Sequence, residues 1–167
     1  MIHVVMGSKD SDLPVIKESK MPSIYDQLCA DLDIGPGFVK YHACSAHRNP
    51  KDLQAFVDHE LASSEPSIFI GIAGLAAALP GALAGANMMS HPVIAVPLDQ
   101  FGLDSCLRMA PGVPVLTTGV GKHGITGAAI ASLQMYRLKS APVGDWLDRY
   151  IKANTKPAEF DIDINVD

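Results

Sequence analysis

From Pro66 to Ser90 the chain carries no charged residue, and most of the stretch is Ala, Gly, Leu and Ile. A segment of that kind belongs either in a bilayer or inside protein. Pro80 sits in its middle, Gly71, Gly74, Gly81 and Gly85 interrupt it, and no cationic anchor flanks it. These features oppose a membrane span, although Gly81 and Gly85 imitate a GxxxG pairing motif. The segment reads instead as a buried strand over Ser67 to Gly71, a glycine-containing loop, and a small-residue helix over Ala76 to Asn87. A strand without polar alternation is covered on both faces, which is the condition of a parallel sheet with helices on each side.

The rest of the chain repeats this alternation. His3 to Met6 is a first strand, and residues from about Leu13 to Leu32 keep helical spacing. Pro14 is acceptable in the first turn, while Pro22 kinks or splits the helix. After the Gly35-Pro-Gly37 turn comes a second strand, Phe38 to Ala43. Asn49 and Pro50 form an N-cap and N1 pair, with Leu53, Phe56, Val57 and Leu61 at helical spacing behind them. Pro92 to Val96 and Val113 to Thr118 are strands four and five, and Ile125, Ala129, Leu133 and Tyr136 line one face of a following helix. The pattern predicts an α/β three-layer sandwich, doubly wound with a parallel, flavodoxin-like sheet, over residues 1–140. Residues 141–167 add a helix and an acidic tail to the same folding unit. The helix stripe Val143, Trp146, Leu147, Tyr150 and Ile151 calls for cover from its own domain or from a neighbouring subunit. The tail, Asp161 to Asp167, is expected to be disordered or an edge arm.

Composition narrows the setting. Charged residues make up 19% of the chain, below the roughly 25% typical of soluble domains. A small protein short of charge hides surface against copies of itself, so a homo-oligomer is expected. The formal net charge is -5 with no basic run, which argues against a nucleic-acid partner. Met1 to Met6 lacks the positive start of a signal peptide. Cys29, Cys44 and Cys106 form no CxxC pair, as expected for reduced thiols in the cytoplasm.

In open α/β sheets, ligands bind beyond the carboxyl ends of the strands. That rule selects the loops Gly7–Asp12, Cys44–Asn49, Ile72–Ala76 and Pro97–Leu103. Ser8, Ser11 and the backbone N–H groups of the first loop suit a phosphate at a helix mouth. Ser45-Ala-His-Arg48 offers an imidazole for proton transfer and a guanidinium for a phosphate. The third loop is small and apolar, where a flat ring can approach the backbone. Taken singly, each motif has a plainer reading: Ser11 or Asp12 as a helix cap, His47 and Arg48 as surface residues. Together they describe a pocket for a phosphorylated small molecule with one titratable catalyst.

Two motifs count for less. Gly119-Val-Gly-Lys-His-Gly124 matches GxGxxG but lies in the last βα unit, with no acidic residue at the end of a following strand. A tight turn accounts for its glycines better than a dinucleotide does. The six histidines show no HxxxH or Cys/His ligand spacing, so no metal is expected. His3 and His42 fall on strands, as core or interface residues.

At these loops the sequence resembles the PurE family. Met6-Gly-Ser-Lys with Ser11-Asp12, Ser45-Ala-His-Arg48, Ala73-Gly74 before Leu79-Pro-Gly81, Arg108-Met-Ala-Pro-Gly-Val-Pro114 and Gly121-Lys122 carry the likeness, in order, from Ile2 to Leu138. The resemblance implies a three-layer α/β fold, an octamer built partly by the C-terminal helix, and neither cofactor nor metal. It implies formation of 4-carboxy-5-aminoimidazole ribonucleotide in purine synthesis, from the N5-carboxylated isomer or from aminoimidazole ribonucleotide plus carbon dioxide. Ser8, Ser11 and Arg48 would hold the phosphate and Asp12 the ribose hydroxyls. Ser45 and Gly74 would join them in binding, and His47 would be the acid/base at the ring carbon. The chain departs from the family pattern in places. Asp10 is extra in the first loop, Leu75 replaces a glycine, and Ala78 replaces the histidine of the bacterial mutases. Leu107-Arg-Met109 looks more like the animal-type carboxylases, although the Arg-Ser-Asn of those enzymes is here Leu75-Ala-Ala77. A relative that binds a nucleotide-like ligand without catalysis is the alternative.

Overall fold

The computed structural model describes residues 1–63 and 65–156. Five parallel strands form one sheet in the order β2-β1-β3-β4-β5. They are β1 (Ile2–Met6), β2 (Val39–Ala43), β3 (Ile68–Ala73), β4 (Val93–Pro97) and β5 (Leu116–Thr117). The helices are α1 (Lys9–Glu18), α2 (Met21–Asp31), α3 (Pro50–Leu61), α4 (Ala78–Ala86), α5 (Leu103–Leu107), α6 (Gly121–Tyr136) and α7 (Ala141–Asn154). This is the flavodoxin-like order expected from the sequence, with winding reversed between β1 and β3.

Side-chain alternation along the strands divides the interior into two layers. Ile2, Val4, Met6, Ile70, Ile72, Ile94 and Val96 face Ile16, Ile24, Leu28, Ile125, Ala129 and Leu133 from α1, α2 and α6. Val5, Phe69, Val93 and Ala95 face Leu53, Val57, Leu79 and Leu83 from α3 and α4. The uncharged stretch is thus the central strand and the helix lying on it. A Cβ at Gly71 would come within 3.1 Å of the Pro80 Cα, so the small residues there allow close helix–sheet approach.

Element boundaries differ from expectation for identifiable reasons. The single helix predicted over 13–32 is two helices, and the break falls at Ser19–Lys20 rather than at Pro22. The Ser19 hydroxyl donates to the Ile16 carbonyl at 2.7 Å and accepts from the Met21 N–H at 3.2 Å, closing one helix and opening the next. Pro22 then sits in the first turn of α2, where its missing N–H costs nothing. Asn49 precedes α3 but makes no cap bond; its amide donates to Asp52 Oδ2 at 3.4 Å. The fourth loop contains a 3-10 turn (Gln100–Gly102) leading into α5. β5 has only two residues, not the six predicted.

The first three residues of the C-terminal stripe find cover within the same chain, while Tyr150 is half-buried and Ile151 is exposed. Val143, Trp146 and Leu147 are buried in the α1/α2/α6 layer. Trp146 is 3% exposed, stacks on Tyr150 and donates from Nε1 to Asp31 Oδ2 at 2.8 Å. Arg137 holds the outer side of α7 through a two-pronged pair with Asp148, at 2.9 and 3.0 Å. The acidic tail from Asp161 lies outside the described residues. Among the described residues, no helix is long and apolar enough to cross a membrane.

Candidate active site

A cavity of about 510 Å³ opens where the loops after β1, β2 and β3 meet. Pockets for small ligands commonly run from about 300 to 1,000 Å³. Gly7, Ser8, Ser11 and Asp12 form one side, Ser45, Ala46, His47 and Arg48 another, and residues 73–79 the floor and far wall. The structure therefore brings together every residue selected from the sequence: Ser8, Ser11, Asp12, Ser45, His47, Arg48 and Gly74. Asp10 is exposed on the first turn of α1 and is not among the lining side chains.

The first loop is shorter than the sequence suggests, because α1 begins at Lys9. Ser8 is its N-cap, with Oγ accepting weakly from the Ser11 N–H at 3.5 Å. Asp12 returns the interaction by accepting from the Ser8 N–H at 2.9 Å, and its other oxygen accepts from the Ser11 hydroxyl at 2.6 Å. Asp12 is 3% exposed, a carboxylate held near the positive end of a helix. The two serine hydroxyls stand at the cavity edge on the same turn.

The second loop folds on Ser45. Its carbonyl accepts from the Asn49 N–H at 2.8 Å and its Oγ from the Arg48 N–H at 3.3 Å. This turn leaves His47 and Arg48 exposed at the cavity rim. Among the described residues, Arg48 has no carboxylate within ion-pair distance, so its guanidinium is uncommitted. Cys44 lies just before them, but burial and then Asp52 push its thiol pKa up, away from a nucleophilic thiolate. His47 is the imidazole that this wall exposes to the cavity.

The third loop is shaped by its backbone. Leu75 and Ala77 adopt left-handed conformations with φ of 55° and 42°. Side chains occupy that region at a cost of roughly 1–2 kcal/mol each. Leu75 is 76% exposed, and its N–H donates to Asp99 Oδ2 at 2.9 Å. Asp99 lies in the fourth loop selected from the sequence, Pro97–Leu103, which does not line the cavity, and Asp99 itself was not singled out there. Its only local signature is the cap it provides for the 3-10 turn, through the Gly102 N–H at 3.1 Å. At the GxGxxG segment, Gly119 and Gly121 have φ of 110° and 61°, and a Cβ on Gly124 would collide with the Gly119 carbonyl. Tight turning accounts for those glycines.

A model of the family described as AIR carboxylase matches residues 1–157. The chain belongs to the AIR carboxylase family. An N5-carboxyaminoimidazole ribonucleotide mutase of Methanocaldococcus jannaschii is 36% identical over 155 residues, spanning 90% of this chain and 87% of that protein. One of the same name from Pyrococcus abyssi is 35% identical over 159 residues, spanning 89% and 80%. The crystal structure of Treponema denticola PurE shares the fold, with a TM-score of 0.75 at 23% identity over 92% of this chain and 90% of that one.

Proposed function

We propose that this AIR carboxylase family member forms 4-carboxy-5-aminoimidazole ribonucleotide, taking the carboxyl group from the N5-carboxylated isomer. The observation that carries the reading is the shared cavity, in which two hydroxyls, an exposed guanidinium, a buried carboxylate and an exposed imidazole line one volume. Ser8, Ser11 and Arg48 bind the phosphate, the guanidinium supplying charge and the hydroxyls direction. Asp12 accepts from the ribose hydroxyls. The electron-rich aminoimidazole needs no activation as a nucleophile. The N5–carboxyl bond breaks as protonated His47 gives its proton to N5, and the released carbon dioxide is attacked by the ring carbon. His47 removes the proton from that carbon, restoring the aromatic ring. The wall of residues 75–79 backs the flat ring. The reaction fits a cytoplasmic homo-oligomer, an octamer by family resemblance.

A second donor has two sequence features behind it. Ala78 stands where the bacterial mutase pattern has histidine, and Leu107-Arg-Met109 is closer to the carboxylase form. The assay is therefore run from the N5-carboxylated precursor and from aminoimidazole ribonucleotide with bicarbonate, and turnover is expected from the first. His47→Asn should retain ligand binding and lose roughly 10²–10⁴-fold in turnover, as for a missing general acid–base. No turnover from either donor, with binding intact, would replace this reading with a ligand-binding relative.

A further inference from the structure

We propose that Asp99 is a positioning residue that clamps the substrate-facing loop after β3 in its left-handed conformation. The proposal rests on the ribonucleotide reading of the cavity. Each Asp99 carboxylate oxygen accepts one backbone N–H from a different segment, Leu75 at 2.9 Å on Oδ2 and Gly102 at 3.1 Å on Oδ1. The carboxylate thus ties the wall of the cavity to the turn that follows β4. Charge-assisted bonds of this kind are the stronger class, and here they offset backbone strain at Leu75 and Ala77.

Steric features converge on the same joint. A Cβ at Gly74 would approach Asp99 Oδ2 to 3.3 Å, so the small residue leaves room for the carboxylate. A Cβ at Gly102 would lie 2.6 Å from the Ala77 Cβ and 2.8 Å from the Leu75 carbonyl oxygen. The turn after β4 therefore lies directly beneath the loop, and only a glycine allows it. A loop with a glycine at position 75 would reach φ of 55° freely. With leucine there, the conformation needs an external hold, and Asp99 is the group in contact with it.

The consequence falls on binding. A loop released from the clamp must be ordered by the substrate, which weakens apparent affinity while leaving His47 and its chemistry in place. Asp99→Ala should raise KM on the order of 10-fold to 100-fold, with a smaller change in kcat. It should also speed exchange of the Leu75 and Gly102 amide protons. Leu75→Gly, placed on the Asp99→Ala background, should recover a large part of the KM loss by removing the strain. A merely structural Asp99 would reduce the folded fraction, lowering apparent kcat without moving KM. Asp99→Asn, which keeps the shape and loses the charge, serves if Asp99→Ala does not fold.

Unchanged KM and unchanged amide exchange in the folded variant would overturn the clamp. So would a double variant no better than Asp99→Ala alone. If the unmodified protein binds no aminoimidazole ribonucleotide, the reading of the cavity fails, and amide exchange then decides the clamp on its own. Faster Leu75 exchange in Asp99→Ala sustains it, and unchanged exchange removes it.

Discussion

Arg48 and His3 show how differently two groups can be used on one scaffold. Arg48 stands exposed beside the cavity, with no carboxylate within ion-pair distance among the described residues. Arg48→Ala should leave thermal stability near the parent value and weaken binding of a ribonucleotide 5′-phosphate more than it lowers kcat. Calorimetric titration checks this. His3 is 0% exposed, stacked on Phe69 with ring centroids 5.2 Å apart and edged by Phe56. Its Nδ1 lies 3.3 Å from His42 Nε2, while its Nε2 has Glu60 Oε2 at 3.3 Å, off the hydrogen-bond direction. Burial first, then His42, Lys40, the Met1 amino group and His91, lower its pKa from 6.5 to about 3. The unfolded chain protonates this ring below pH 6.5, whereas the folded protein resists until about pH 3. Stability is therefore fully present above pH 6.5 and is lost as pH falls through that window, by at most about 1.4 kcal/mol per pH unit. His3→Asn should lose less of its urea midpoint between pH 7 and 4.5 than the parent does. An equal loss would assign the effect to other groups.

Helix α7 illustrates how an apolar stripe finds its partner. Its buried side chains complete the layer formed by α1, α2 and α6, and Trp146 adds a hydrogen bond to Asp31 at the end of α2. Trp146→Ala should cost about 3–5 kcal/mol, the range for truncating a buried large aromatic, and lower Tm accordingly. Removal of everything after Ser140 would uncover the apolar surface of α6 on which α7 packs. Aggregation or loss of cooperative unfolding is the expected outcome, read by calorimetry. A truncated chain that melts like the parent would show that α7 contributes little to the fold. At the other end of the sheet, α1 owes its start to Ser8 and Asp12, the same residues that line the cavity. Helix capping and the shape of the cavity edge are thus set by one reciprocal pair of side chains.

Ile151 of α7 remains exposed, and further large apolar side chains stand on the surface elsewhere. Phe101 is 85% exposed, and Leu107 and Leu75 are exposed on neighbouring segments at the cavity end of the sheet. Met88 and Met89 extend beyond α4, with φ of 47° and 59°. Light scattering at micromolar concentration should give a mass well above twice the 17.7 kDa protomer. Phe101→Asp together with Leu107→Asp should lower that mass without changing the far-ultraviolet circular dichroism. A stable monomer in the unmodified protein would remove the assembly argument built on low charge.

Sequence by itself determined the layered α/β plan, since uninterrupted apolar runs such as Ile68-Phe-Ile70 demand cover on both faces. It also located Ser8, Ser11, Asp12, Ser45, His47, Arg48 and Gly74 at the carboxyl ends of their strands, because turn residues and strand periodicity are local signals. Tertiary structure alone decided the rest. The break at Ser19 depends on a hydroxyl bonding two helix ends, and the two-residue β5 on how far it pairs with β4. Trp146 could have faced a neighbour until Asp31 and the α2 layer were in place. Leu75 reads as an ordinary apolar residue, yet its backbone is left-handed and tied to Asp99, 24 positions away. Contacts between distant segments, and the torsions they enforce, leave no periodic trace in the residues that make them.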